Sequence, residues 1–222
     1  MELKNKSVNF LGDSITAGAG VKDITANRYD NVLKKIAELG ETYNYGISGT
    51  RIAPQIIVGE PTPVDLGDFC KRAKEMNKNA DIIIVFGGTN DYGHGNAPFG
   101  EENDRTPDTY CGSVHSIMKY LRDEYPNAAI VFMTPMHRLN DARPASDARK
   151  AINPGKPLAD YVEVICNAAP LYNINVLDLF RTLPLDPNDE AIKQLYVPDG
   201  LHPNDLGQHI IAESLYTYLK SL

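Results

Sequence analysis

The sequence predicts an α/β domain built on a parallel sheet, and three observations carry that prediction. Five short apolar runs punctuate the chain, with helical patterns between them. The runs at 82–86 and 130–133 are almost continuously apolar, as strands covered on both faces must be. Glycine or proline closely follows four of the five, where a chain leaves the carboxyl edge of a sheet. Right-handed crossovers join such strands, and ligands bind beyond their carboxyl ends.

The elements follow in order. Val8-Asn9-Phe10-Leu11 leads into Gly12, and a helix is expected over roughly 31–39. Thr42-Tyr43-Asn44-Tyr45 leads into Gly46, before a helical pattern at 68–77. Asp81-Ile82-Ile83-Ile84-Val85-Phe86 leads into Gly87-Gly88, and the next helix is expected over 109–124. Ala129-Ile130-Val131-Phe132-Met133 leads into Thr134-Pro135, followed by a helix at 159–172. The fifth run is Asn175-Val176-Leu177-Asp178-Leu179, and a helix over 203–222 closes the chain. In that helix Leu206, Ile210, Leu215 and Leu219 fall near one face, and Pro203 suits a first-turn position. The polar stretches 92–107 and 138–157 read as insertions. No repeat or linker interrupts residues 1–222, which read as a single domain.

Composition narrows the function. A chain of 222 residues with 42% hydrophobic and 23% charged residues has the make-up of a soluble globular domain with a real core. A net charge of −7 without a Lys/Arg-rich run argues against nucleic acid and against anionic membrane surfaces as partners. No apolar stretch approaches the ~20 residues that span a bilayer, so stable membrane insertion is not expected. The first residues lack the apolar core of an export signal, which points to the cytoplasm. Cys70, Cys111 and Cys166 are widely separated and follow no metal-ligand spacing, so free thiols and no metal are expected.

Chemistry concentrates at four places. Ser14 follows a strand and a glycine, in Gly12-Asp13-Ser14-Ile15-Thr16. That setting suits a nucleophile at the sheet edge beside helix N–H groups, and it equally suits a serine N-cap. In Asp199-Gly200-Leu201-His202-Pro203 a tight turn can fold the carboxylate onto one ring nitrogen and leave the other free. A surface turn would use the same residues. Gly87-Gly88-Thr89-Asn90-Asp91 offers the Asn90 amide as an oxyanion donor or forms an ordinary strand-exit turn, and Gly46 stands at a similar exit. A Gly-x-Ser-x-Gly elbow, a Walker A loop, His-Glu-x-x-His and Cys-x-x-Cys are all missing.

Taken together, Gly12-Asp13-Ser14-Ile15, Gly46 in Asn44-Tyr45-Gly46, Gly88-Thr89-Asn90-Asp91 and Asp199-Gly200-Leu201-His202-Pro203 resemble the SGNH (GDSL-type) hydrolase family in its four defining blocks, in the family's order. The resemblance implies a three-layer α/β/α, flavodoxin-like fold with a five-stranded parallel sheet. It implies acyl-ester hydrolysis without a metal or other cofactor. It makes Ser14 the nucleophile, His202 the base and Asp199 its partner. The oxyanion hole would be the Ser14 N–H, the Gly46 N–H and the Asn90 amide.

The substrate expected is a small-molecule ester. Asp13, Tyr92, His94, His137 and Arg138 are candidate substrate contacts, and Asn96, Asn103, Asn140 and Arg143 add to the polar loops. Polar loops favour a short acyl group on a polar, carbohydrate-like alcohol. A lysophospholipase or thioesterase, and a non-catalytic carbohydrate binder on the same fold, stand as the alternatives.

Overall fold

The computed structural model describes residues 1–54, 67–142 and 156–222. Its sheet has five parallel strands: β1 (Val8–Gly12), β2 (Thr42–Gly46), β3 (Ile82–Phe86), β4 (Ala129–Met133) and β5 (Asn175–Leu177). They lie in the order β2-β1-β3-β4-β5, which is the flavodoxin-like order. Gly12 is in register with Gly46 on one side and Phe86 on the other, so the exits of β2, β1 and β3 are neighbours.

Strand side chains alternate between faces, and this alternation divides the core in two. Val8, Phe10, Ile82, Ile84, Phe86, Val131 and Met133 pack with the helices α3 (Tyr29–Ile36) and α10 (Asp205–Ser221). Leu11, Ile83, Val85, Ile130 and Phe132 pack with α4 (Phe69–Arg72), α6 (Tyr110–Glu124) and α7 (Leu158–Ala168). The result is a three-layer α/β/α sandwich. In α10, Ile211, Leu215 and Leu219 are fully buried, each contributing about 2 kcal/mol of apolar burial. No helix among the described residues is long and apolar enough to cross a membrane.

The structure redraws several boundaries. The pattern at 68–77 is α4 followed by a 3-10 turn at Ala73–Glu75, after which Met76 enters the core in extended conformation. The pattern at 159–172 ends its α-helical part at Ala168 and continues as a 3-10 turn, Ala169–Tyr172. Pro170 lies in that turn and supplies no N–H to an α-helical ladder. β5 stops at Leu177 because the Asp178 side chain caps the next helix, α8 (Leu179–Thr182), by accepting the Arg181 N–H. Helix α10 begins at Asp205, not at Pro203, because Asn204 caps it by accepting the Leu206 and Gly207 N–H groups. Leu206 therefore lies on the exposed side rather than with Leu215 and Leu219.

Four further helices carry no periodic signal in the sequence: α1 (Ser14–Ala17), α2 (Ile24–Asn27), α5 (Thr89–His94) and α9 (Glu190–Tyr196). Tyr92–His94, expected to open an insertion, are thus the end of a helix.

Candidate active site

Gly12 ends β1 because α1 folds back over it. A Cβ there would lie 2.0 Å from Thr16 Oγ1. Asp13, not Ser14, is the N-cap, and its carboxylate accepts the Ile15 N–H at 3.0 Å. That arrangement releases the serine hydroxyl from capping. Ser14 becomes the first helical residue, whose N–H has no intrahelical acceptor. Burial pushes the Asp13 carboxyl up to about 6, against the pull of the Ile15 N–H and His202.

The Ser14 hydroxyl meets His202 Nε2 at 2.9 Å, and His202 Nδ1 meets Asp199 Oδ2 at 2.6 Å. The other carboxylate oxygen accepts the Leu201 and His202 N–H groups at 2.9 and 2.7 Å. Gly200 takes a φ of 79°, and this left-handed residue folds the carboxylate back beneath the ring. Partial burial works to raise the Asp199 pKa, but the hydrogen bonds from His202 and Leu201 prevail and hold it below the usual carboxylate range. With a charged acceptor at Nδ1, the ring proton belongs there and Nε2 is left to accept from Ser14.

On the other side of Ser14 stand the exits of β2 and β3. The Gly46 N–H donates to Asn44 Oδ1 at 2.9 Å, and Asn44 Nδ2 donates to Thr16 O and to Asp30. A Cβ on Gly46 would lie 2.4 Å from Ala17 N, so only glycine lets α1 pack this closely. Asn90 lies in α5, where Nδ2 donates to Thr50 O at 3.0 Å and Oδ1 faces His94 Nε2 at 3.1 Å.

The remaining candidates fall elsewhere. Tyr92 is buried against Tyr161, with its hydroxyl donating to Asn140 O. His137 pairs with Asp141 at 2.6 Å and lies against the Phe180 ring. The Asp141 hydrogen bond raises its pKa against partial burial. Arg138 covers the Tyr92 ring and donates to Thr89 O at 3.0 Å, beside Asn90. Leu139 N–H donates to Gly200 O at 2.8 Å, so the 137–141 segment braces the turn that carries His202. Asn96 is buried, and the Asn140 N–H donates to Asn188. Asn103 lines a cleft of about 710 Å³ between α6 and α7, whose lining does not include Ser14, His202 or Asn90. Arg143 lies outside the described residues.

Two buried groups around the site were not singled out from the sequence. Arg72 donates to Tyr45 O, Gly12 O and Thr50 Oγ1, fastening the ends of β1 and β2 to the loop behind Asn90. Burial lowers its pKa to about 10. Asp91 accepts the Ile52 and Ala53 N–H groups at 3.0 and 2.9 Å, and burial pushes its carboxyl up to about 6. Asp91 was visible in the Asn90-Asp91 pair. Arg72 carries no signal, because its partners are mainly backbone carbonyls remote in sequence.

The comparisons agree with this fold. Among solved structures, a protein from Lactobacillus plantarum is 27% identical, with 99% of this chain and 98% of that one covered and a TM-score of 0.82. A possible lipase from Chitinophaga pinensis is 22% identical at a TM-score of 0.68, covering 97% and 98% of the two chains. A lipase/acylhydrolase from Enterococcus faecalis is 18% identical at a TM-score of 0.65, covering 97% and 96%. Among curated proteins, none matches. The model of the GDSL-like lipase/acylhydrolase family matches residues 10–210, a span running from β1 through the turn that carries His202 and into α10. The chain belongs to that family and is a carboxylic ester hydrolase.

Proposed function

We propose that the protein is a serine esterase working through an acyl-enzyme intermediate on a single domain, residues 1–222. The observation that carries this reading is the pair of hydrogen bonds Ser14–His202–Asp199, at 2.9 and 2.6 Å. His202 Nε2 takes the serine proton as Oγ attacks the ester carbonyl. The imidazolium that forms is stabilised by Asp199. The oxyanion is held by the Ser14 N–H, by the Asn90 Nδ2 hydrogen not bound to Thr50 O, and by the Gly46 N–H. That last N–H is shared between Asn44 Oδ1 and the oxyanion. The alcohol leaves with the proton from His202. Water then attacks the acyl group by the same route and restores Ser14.

The alcohol favoured is polar and the acyl group short, acetyl above all, a reading that rests on the polar composition of the 92–107 and 138–157 stretches. A cytoplasmic location goes with this reading. Ser14→Ala should abolish turnover of p-nitrophenyl acetate while leaving the circular dichroism spectrum unchanged, and retained turnover contradicts the assignment. Initial rates over acyl chains of increasing length, with acetylated sugars included, test the substrate class. A preference for long chains contradicts the short-acyl reading.

A further inference from the structure

A carboxamide can present either its oxygen or its nitrogen at a given point with nearly the same shape. Packing alone therefore does not decide which end of Asn90 faces the substrate. Hydrogen-bond partners decide it, and two converge here. Thr50 O is an acceptor only, so it demands Nδ2, and it takes one of the two amide hydrogens at 3.0 Å. His94 Nε2 lies 3.1 Å from Oδ1, four residues further along α5 on the same helical face. When Nε2 carries a proton, in the neutral Nε2–H form or as imidazolium, it donates to Oδ1 and fixes the amide from the opposite end.

Gly95 follows His94 as the C-cap of α5. The chain leaves α5 so sharply that a Cβ on Gly95 would lie 2.2 Å from Asp91 O. With one hydrogen engaged by Thr50 O, the second Nδ2 hydrogen is the donor the amide has left for a ligand. A proton donated to Oδ1 also polarises the amide and strengthens the donor at Nδ2.

We propose that His94 is a positioning residue that locks the Asn90 carboxamide with its nitrogen toward the substrate, acting through Asn90 rather than by touching the ester. This rests on the reading of Asn90 as an oxyanion donor. The test is a double-mutant cycle. kcat and KM are measured for the wild type, His94→Leu, His94→Gln, Asn90→Ala and the His94→Leu/Asn90→Ala double variant. Two acetyl esters with different alcohols serve as substrates, and thermal melts confirm folding.

His94→Leu should lower kcat by about 10-fold or more for both esters, with KM within about twofold. His94→Gln, whose Nε2 can donate to the same oxygen, should stay within about threefold of wild type. In the Asn90→Ala background His94→Leu should cost nothing further. A His94→Leu loss that persists there overturns the inference alone. A loss in KM that differs between the two alcohols does the same, because it reports direct substrate contact. Wild-type kcat in Asn90→Ala overturns the oxyanion reading and this inference with it. If His94→Leu melts early, His94→Ala takes its place in the cycle.

Discussion

Asp13 precedes Ser14 directly and is buried, with 2% of its surface exposed. Its folded pKa of about 6 stands above the unfolded value of 3.8, so the folded state binds the proton more tightly. Stability therefore falls as pH rises from about 4 through 6, by about 3 kcal/mol for this group. Asp91 has the same sign and the same window. Asn at position 13 keeps an oxygen for the Ile15 N–H and carries no charge. Asp13→Asn should thus match the wild type near pH 4 and exceed it by about 2–3 kcal/mol at pH 7.5, read from urea denaturation at the two pH values. Ser14, Asp199 and His202 were legible in the sequence because the Asp199–His202 contact is local and the motif around Ser14 is compact. The capping role of Asp13 was not, because a serine and an aspartate suit that position equally well.

Between elements, the deciding contact is the Arg72 guanidinium. It reaches from α4 to carbonyls on both β1 and β2 and to Thr50. Arg72→Met keeps the length of the side chain and leaves Gly12 O, Tyr45 O and Thr50 Oγ1 without this donor. It should destabilise the fold by about 3 kcal/mol and weaken activity beyond what the stability loss accounts for, measured by denaturation and kcat on the folded fraction. The five strands and the long helices were legible because apolar period and exit glycines extend over enough residues to be read. Apart from α4, which lies in the 68–77 pattern, the helices of four to seven residues were not, since so short a span holds no period and the Asp caps of α1, α2, α8 and α9 look like turn residues. The helix that carries Asn90 belongs to this class. Its motif was readable, but its helical form and the His94 contact it creates were not.

At the scale of the whole molecule, the Met1 ammonium donates to Leu219 O at 3.1 Å, so residue 1 adjoins the last turn of α10. A circular permutant joining 222 to 1 through about five glycine and serine residues, with new termini between the exposed Glu102 and Asn103, should fold and keep its esterase activity. Loss of activity with the fold intact would show that the 99–105 loop reaches the ester after all. Overall architecture was the most legible feature, because parallel order follows from strand–helix alternation. Side-chain partnerships across the sheet edge were the least legible, because they join residues that no sequence window contains.

The Ser14–His202 bond closes over 188 residues. At ribosomal speeds of about 5–20 residues per second, Ser14 emerges roughly 10–40 s before His202, its base in the proposed mechanism. On that mechanism Ser14 stays an ordinary alcohol until the turn carrying His202 docks, and it spares the esters around the nascent chain. Hydrolysis then becomes a clock: its onset in a synchronised translation marks the moment the turn carrying His202 reaches Ser14.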